Sequence, residues 1–533
     1  MEARSRLRLR LPATPETLGA THRCVPKCPK CPHESLRSHP LTFPSLPPPP
    51  STAVPYLTDI KGFSGDAVAK DIFPVSIYAS LFFYLIAGPA SKRMGLKTFV
   101  LCGAACRLWT RMILLWGTSL GAMQLMQVVY AAGTSADAIL MAYAYAIVGG
   151  EETNERGMNV HSSEGRRYRT VTGALSASHL GSYMLAALFG QVAFDSGVSY
   201  EALFYVSFFS VGAGCVVGCF LPSAPFDKGP GLSPLHTRTP STRPPTGRTL
   251  RDELTRFTKA IRDTVTLVSS RCYGSGVMCV LSGWWVLSSA PPAFLEWYGT
   301  SLFDAIDQTH DANGYVVFVA RFMMACASVL GGMESFGGTH AANPLLYAGT
   351  SAFVSVCAFG MSVSGGVGVA ATFYCLALAA SQGAAVVVYS QAALAMDTLN
   401  YPARSGGETK VGSSDDAEDG AGETIAGGNM GSPDHALLFG ANGFLGIFAL
   451  VLLQAFVDAA RVGIRADIAA AAVASLVVAV FTLLAAKVRK QWWGLGGWRL
   501  DPTGADFGRG EAILDEDADA REMHPEADAS ALL

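Results

Sequence analysis

Runs of apolar residues separated by short polar breaks dominate the chain between positions 72 and 487. About 20 consecutive apolar residues suffice for a helix to cross a bilayer. Eleven such runs occur, at 72–90, 98–117, 121–148, 170–194, 201–222, 273–299, 313–336, 343–363, 366–396, 436–459 and 464–487. The polar stretch 223–271 divides them into five and six. Within it, "TLRDELTRFTKAIRDTVTLV" repeats Leu254, Phe257, Ile261, Val265 and Val268 at helical spacing, which predicts an amphipathic helix lying on the membrane face. A second polar insert, 401–434, is Gly-rich and acidic and is expected to be disordered. The predicted organisation is therefore an N-terminal bundle (51–222), a linker (223–271), a C-terminal bundle (272–487) and a polar tail (488–533), with 1–50 standing apart.

Composition agrees with the pattern. Half of the 533 residues are hydrophobic, only 15% are charged, and mean hydropathy is +0.31, the balance of a chain solvated largely by lipid. A net charge of -3 with no basic, aromatic-interleaved patch removes the electrostatic case for nucleic-acid binding. Most of the twelve cysteines fall in or beside apolar runs and read as small packing residues. Cys24, Cys28, Cys31 and His33 could hold zinc only inside a folded knuckle; prolines between them and the lack of a second structured half argue against it. No metal and no cofactor is expected. No HExxH, GxSxG or paired catalytic acid motif lies in the spans, so an enzyme is not expected either.

Short loops rich in Lys and Arg stay in the cytoplasm. Lys92, Arg93 and Lys97 mark one such loop, Arg156, Arg166, Arg167 and Arg169 the next, and nine Lys or Arg the linker. The loops near Ser119, Gly197 and Asp307 carry none, so linker and C-terminal tail are expected inside. Eleven crossings then put the segment before Phe73 outside, although residues 1–50 are rich in Arg and Pro. One helix is missing by parity. A transit peptide is one explanation; the preferred one is an incorrect first exon or a truncation in place of helix one.

Charges inside the apolar runs are the candidate chemistry, because an ionisable group in a membrane is costly. Asp137 lies in "YAAGTSADAILMAYAYAIV" and shares a helix face with Tyr130, Gly133, Thr134, Met141 and Ala144, a small, polar face suited to the bundle interior. It is either a substrate ligand or a structural partner of Arg107 or Arg111 on the preceding helix. In "SSAPPAFLEWYG", Pro291 and Pro292 remove two backbone donors and predict a broken helix of the kind that lines sites or gates. Glu296 follows as a second candidate acid, for substrate or for a coupled proton. Arg321 and His179 rank below these, as structural pairs.

Seven stretches fall in an order that resembles the reduced folate carrier family, the folate and thiamine transporters of the major facilitator superfamily: "PYLT" (55–58), "IFPVSIY" (72–78), "MQLMQVVY" (123–130), "YRTVTGALSAS" (168–178), "GQVAFDSGVSYEALFYVS" (190–207), "SGWWVLSSA" (282–290) and "ALLFGANGF" (436–444). "GPASKRMGLK" (88–97) is similar to the superfamily's loop between helices two and three, with Lys92 where an Asp is usual. The resemblance implies an all-α membrane protein of two six-helix bundles that hold substrate between them near the midplane. It also implies a first helix, ending before "PYL", that supplies an acid; "PPPPSTAVPYL" offers none.

At the position matching Asp137 the folate carriers place an Arg and the thiamine carriers a Glu, so this chain follows the thiamine pattern. Gln382 and Leu450 stand where folate carriers have basic residues. The resemblance thus implies a small-molecule vitamin substrate, thiamine before folate, with Asp137 as counter-ion and Phe73, Tyr143, Trp297 and Tyr298 as aromatic walls for a cationic ring. Gln382 would line the same cavity. Ser76, Leu140 and Ser176 depart from the pattern, replacing a Trp, a Tyr and an Arg. Further expected partners are the lipid bilayer and a coupled proton or counter-ion; the plasma membrane is the expected location, an organellar membrane the alternative. A transport-inactive receptor or scaffold is the competing class of function.

Overall fold

The computed structural model describes residues 56–64, 67–150, 160–223, 276–307, 312–333, 344–400, 432–460 and 463–493, with isolated positions between 255 and 269. The Cys24–His33 motif, residues 401–431 of the insert expected to be disordered and the whole of 1–50 lie outside them, while the last three residues of that insert, 432–434, open a helix. Among the described residues, two short π-helical turns, Tyr56–Ile60 and Val68–Ile72, lead into eleven long helices. These are α1 (Phe73–Met94), α2 (Leu96–Trp116), α3 (Leu120–Gly150), α4 (Val160–Asp195), α5 (Tyr200–Cys219), α6 (Gly276–Ile306), α7 (Asn313–Gly332), α8 (Pro344–Val363), α9 (Val367–Asn400), α10 (Ser432–Ala460) and α11 (Ile464–Trp493). The described residues contain no strand.

Every predicted apolar run lies within or along one of these helices. Ten are apolar and long enough to cross a membrane, so the protein is an integral, multi-pass membrane protein. The other, α4, is long enough but more polar, and it packs along its length on α7 and against α9. A helix sheltered by neighbours needs no continuous apolar coat. In the linker, Thr255, Thr258, Lys259, Arg262, Val265 and Thr266 are helical and exposed.

Helices α1–α5 and α6–α11 meet along one seam. On one side α4 packs against α7 and α9; on the other α1 and α3 pack against α10. Glycines bring these backbones together: a Cβ at Gly173 of α4 would lie 2.8 Å from Cα of Gly332 on α7, and one at Gly440 of α10 would lie 3.3 Å from the backbone N of Gly88 on α1.

One expectation is corrected. α6 runs unbroken from Gly276 to Ile306 through both Pro291 and Pro292. Proline removes the donor for the carbonyl four residues back, here Leu287 and Ser288, but packed neighbours and hydroxyls sustain a helix through such a gap. α9, α10 and α11 pack on α6, and Ser289 Oγ donates to the Val286 carbonyl at 2.8 Å.

Candidate functional site

Four helices, α2, α3, α6 and α7, carry acidic and basic side chains to the seam. Asp137 stands on α3, where Ala and Gly neighbours let α2 come close: a Cβ at Gly133 would meet Arg107 Cγ at 3.0 Å. Arg107 Nη2 donates to Asp137 Oδ2, forming an ion pair between α2 and α3. The pair is not sealed: 40% of the Asp137 side chain remains exposed. Arg107, Gly133, Ala136, Asp137, Leu140 and His179 border one small cavity.

Across the seam, Arg321 of α7 donates through Nη2 to Glu296 Oε1 of α6. The Arg321 guanidinium also lies 5.2 Å from the ring centre of Tyr183, which belongs to α4 in the opposite half. Tyr183 in turn stands 5.0 Å, ring to ring, from His179. His179 is within electrostatic reach of all four charged groups of the two pairs. The result is a chain of polar groups, Arg107–Asp137, His179, Tyr183 and Arg321–Glu296, that crosses from one half to the other. Tyr84 of α1 reaches the same region, its hydroxyl 3.4 Å from the Thr134 carbonyl.

The second half adds a roomier cavity of about 190 Å³, bordered by Trp285, Ser288, Pro291, Pro292, Glu296, Gln382 and Tyr389. Gln382 Nε2 donates to Ser328 Oγ at 3.2 Å. The carbonyls of Leu287 and Ser288 that the prolines leave without a ladder donor belong to this stretch of α6.

Beyond the charges, one end of the seam is filled by aromatic rings. Tyr145 of α3 packs on Tyr168 of α4 at 4.8 Å and on Phe439 of α10 at 5.9 Å. Trp285 lies 5.0 Å from Phe439 and 4.3 Å from Tyr389. His435 stands edge-on to both Tyr145 and Tyr168, at 5.8 and 5.9 Å.

Several residues expected as walls lie elsewhere. Phe73 starts α1 and packs in the group formed by Tyr56, Ile72, Met123 and Phe204. Tyr143 is fully buried with Ala87 and Val100, and its hydroxyl donates to the Pro222 carbonyl. Trp297 is 47% exposed on the outer surface. Tyr298 stacks on Phe294 at 4.5 Å and accepts a hydrogen bond from Gln454 Nε2. The structure therefore brings Asp137, Arg107 and His179 together, and Glu296, Gln382, Pro291 and Pro292 together, without these four aromatics. Tyr84 and Tyr183 take the inner positions instead; their only signal in the sequence is a polar-tipped ring inside an apolar run, a weak one. Among the described residues, no group of three or more His, Cys, Asp or Glu could hold a metal ion.

The profile of the reduced folate carrier family matches residues 43–406, well over half of the chain. The chain belongs to the reduced folate carrier family. Its fold is similar to that of the human organic anion transporter MFSD10 (TETRAN), which superposes with a TM-score of 0.50 at 13% identity, over 82% of this chain and 88% of that one. No curated protein sequence matches significantly. For a reduced folate carrier, the seam between α1–α5 and α6–α11 is where substrate-binding groups are expected, and the two ion pairs lie there.

Proposed function

We propose that this member of the family carries an organic-cation vitamin of the thiamine type across the membrane by alternating access. The observation that carries it is the pair of seam acids, Asp137 and Glu296, one in each half and each held by a single arginine. A bound cation competes with a guanidinium for either carboxylate, so the acid stays paired on exchange while the displaced arginine must turn to water or another acceptor, because an uncompensated buried ion costs several kcal/mol. Each half then changes its contacts as substrate enters, which is the differential interaction that a rocking motion needs. The acid at 137 and the absence of basic groups at Gln382 and Leu450 support a cation over a dianionic folate.

In this proposal the linker and the tail face the cytoplasm, the plasma membrane is the site of action, and the aromatic packing of Tyr145, Tyr168, His435 and Phe439 closes the cytoplasmic side. Tyr84 and Tyr183 supply ring faces to the cation, and Glu296 is the group for a coupled proton. Uptake of labelled thiamine and labelled folate in cells lacking both kinds of carrier tests it: saturable thiamine uptake is expected, and uptake of folate alone would overturn the cation assignment.

A further inference from the structure

Helix α7 opens without a cap of its own. It starts at Asn313, and Ala312 before it has no side-chain oxygen to offer, so the first N–H groups of the helix need acceptors from elsewhere. The N–H of Gly314 finds one on the opposite half: it donates to Gln191 Oε1 of α4 at 3.0 Å. Gln191 is buried, and a Cβ at position 314 would lie 2.3 Å from that oxygen, so glycine is what lets the amide in. The same amide donates through Nε2 to Asp195 Oδ1 at 2.9 Å, one turn further along α4. Asp195 Oδ2 accepts from the hydroxyl of Tyr315 on α7 at 2.7 Å. The bonds from Gly314 and Tyr315 cross the seam, and they bring a carboxylate to the positive end of α7, where negative charge is favoured. Asn313 Nδ2 meanwhile donates to Asp304 Oδ1 of α6 at 2.7 Å, which ties the start of α7 to its own half.

The place of this cluster gives it a task. Gly173 of α4 meets Gly332 of α7 near the aromatic packing, and Asp195 lies about 33 Å further along α4, at the other end of the seam. The glycine contact is backbone against backbone. The cluster instead lies at helix ends, with Asp195 and Tyr315 exposed. Hydrogen bonds that water can replace are worth little net, so this end can part and re-form at small cost. We propose that Gln191, Asp195, Gly314 and Tyr315 are a latch that holds the two halves together at the end opposite the aromatic packing, and that this end opens to solute only when the latch breaks. This rests on the alternating-access reading above, in which each end of the seam opens in turn, and not on which solute is carried. In the proposed orientation the latch closes the outer mouth.

The test uses the full chain in permeabilised cells, so that its outcome does not depend on orientation, with Ser182→Cys as reporter and a water-soluble thiol reagent as probe. Ser182 bonds to the His179 carbonyl on α4, and its labelling is read as the increment over the chain that carries only its native cysteines. Tyr315→Phe removes one latch bond; Gly314→Ala pushes out the Gln191 amide while raising helix propensity. Each speeds labelling about fivefold, the scale of one uncharged hydrogen bond. Val319→Ala, on the exposed side of α7, leaves labelling unchanged. An unchanged rate in both latch variants, or an equal rise in Val319→Ala, overturns the latch. A lock gives the converse result. In Gln191→Cys with Gly314→Cys the Cβ atoms would start 2.8 Å apart, close enough to bridge once the helices give by about 1 Å. Mild oxidation stops uptake and a reductant restores it; continued uptake by the cross-linked chain overturns the latch. Should the wild-type chain take up neither thiamine nor folate, the vitamin reading falls and the labelling still decides the latch.

Discussion

Arg107 and Asp137 stand 30 residues apart in sequence and pair across two packed helices, so each single change leaves the other with a different problem. Asp137→Asn keeps size and loses charge. A solute cation would forfeit about 1.5–3 kcal/mol, the scale of a hydrogen bond to a charged group, or about ten- to a hundredfold in affinity. The expected result is that much loss of apparent affinity in concentration-dependent uptake, at normal surface abundance. Arg107→Gln acts oppositely: it removes the competitor and leaves the acid, so half-saturation should move to lower solute concentration. A double mutant separates ligand from structural partner, because coupled residues are non-additive. Asp137→Asn combined with Arg107→Gln should be abundant and inactive; full activity in that charge-free pair would assign Asp137 to structure alone. Neither the choice of Arg107 over Arg111 nor the Glu296–Arg321 pair could be read from the sequence, since helix periodicity fixes which face a residue shares and says nothing of which distant helix meets it.

Helices themselves were legible because a bilayer enforces them: every backbone group must be bonded within its own segment. Their ends were less so. The run 170–194 corresponds to α4, which begins ten residues earlier at Val160, and the run 464–487 to α11, which ends at Trp493. Hydropathy marks the lipid-immersed part, while the hydrogen-bonded ladder continues into water through polar residues such as Arg166 and Arg167. The break predicted at Pro291 and Pro292 failed for a related reason, since lost donors do not end a helix that neighbours hold in place. Replacing both prolines by alanine restores the two N–H groups and should preserve abundance while lowering uptake, as the Leu287 and Ser288 carbonyls are recaptured by the ladder; unchanged uptake would show that those carbonyls serve no solute. Close approach of α4 and α7 depends on small residues. Gly173→Leu forces side-chain atoms into the backbone of α7 and should cost about 1–3 kcal/mol, as overpacking does. Gly181→Leu on the same helix, where nothing lies within 4 Å of an added Cβ, should leave the melting temperature of the detergent-solubilised protein unchanged.

At the scale of the whole molecule, the two halves touch through helices α4–α7 and α1–α10, with charges midway and aromatic packing at one end. In the proposed orientation, which rests on basic-loop alternation, that end faces the cytoplasm. Cysteine tags at Thr242 and Ser530 should react only after permeabilisation, and labelling of intact cells would reverse the orientation. Two bundles and a central seam were already implied by seven ordered sequence stretches, but the aromatic walls were not, because Phe73, Tyr143, Trp297 and Tyr298 satisfy the same helical periodicity whether they face solute, protein or lipid. The central claim is that acids at this seam make the protein a carrier of an organic cation. Its most direct test is transport by the purified chain in proteoliposomes, with labelled thiamine, excess unlabelled folate as competitor, and Asp137→Asn in parallel. The account predicts saturable thiamine uptake that folate does not suppress and that Asp137→Asn reduces at least tenfold at subsaturating thiamine. Thiamine uptake abolished by folate, or left intact by Asp137→Asn, would contradict it.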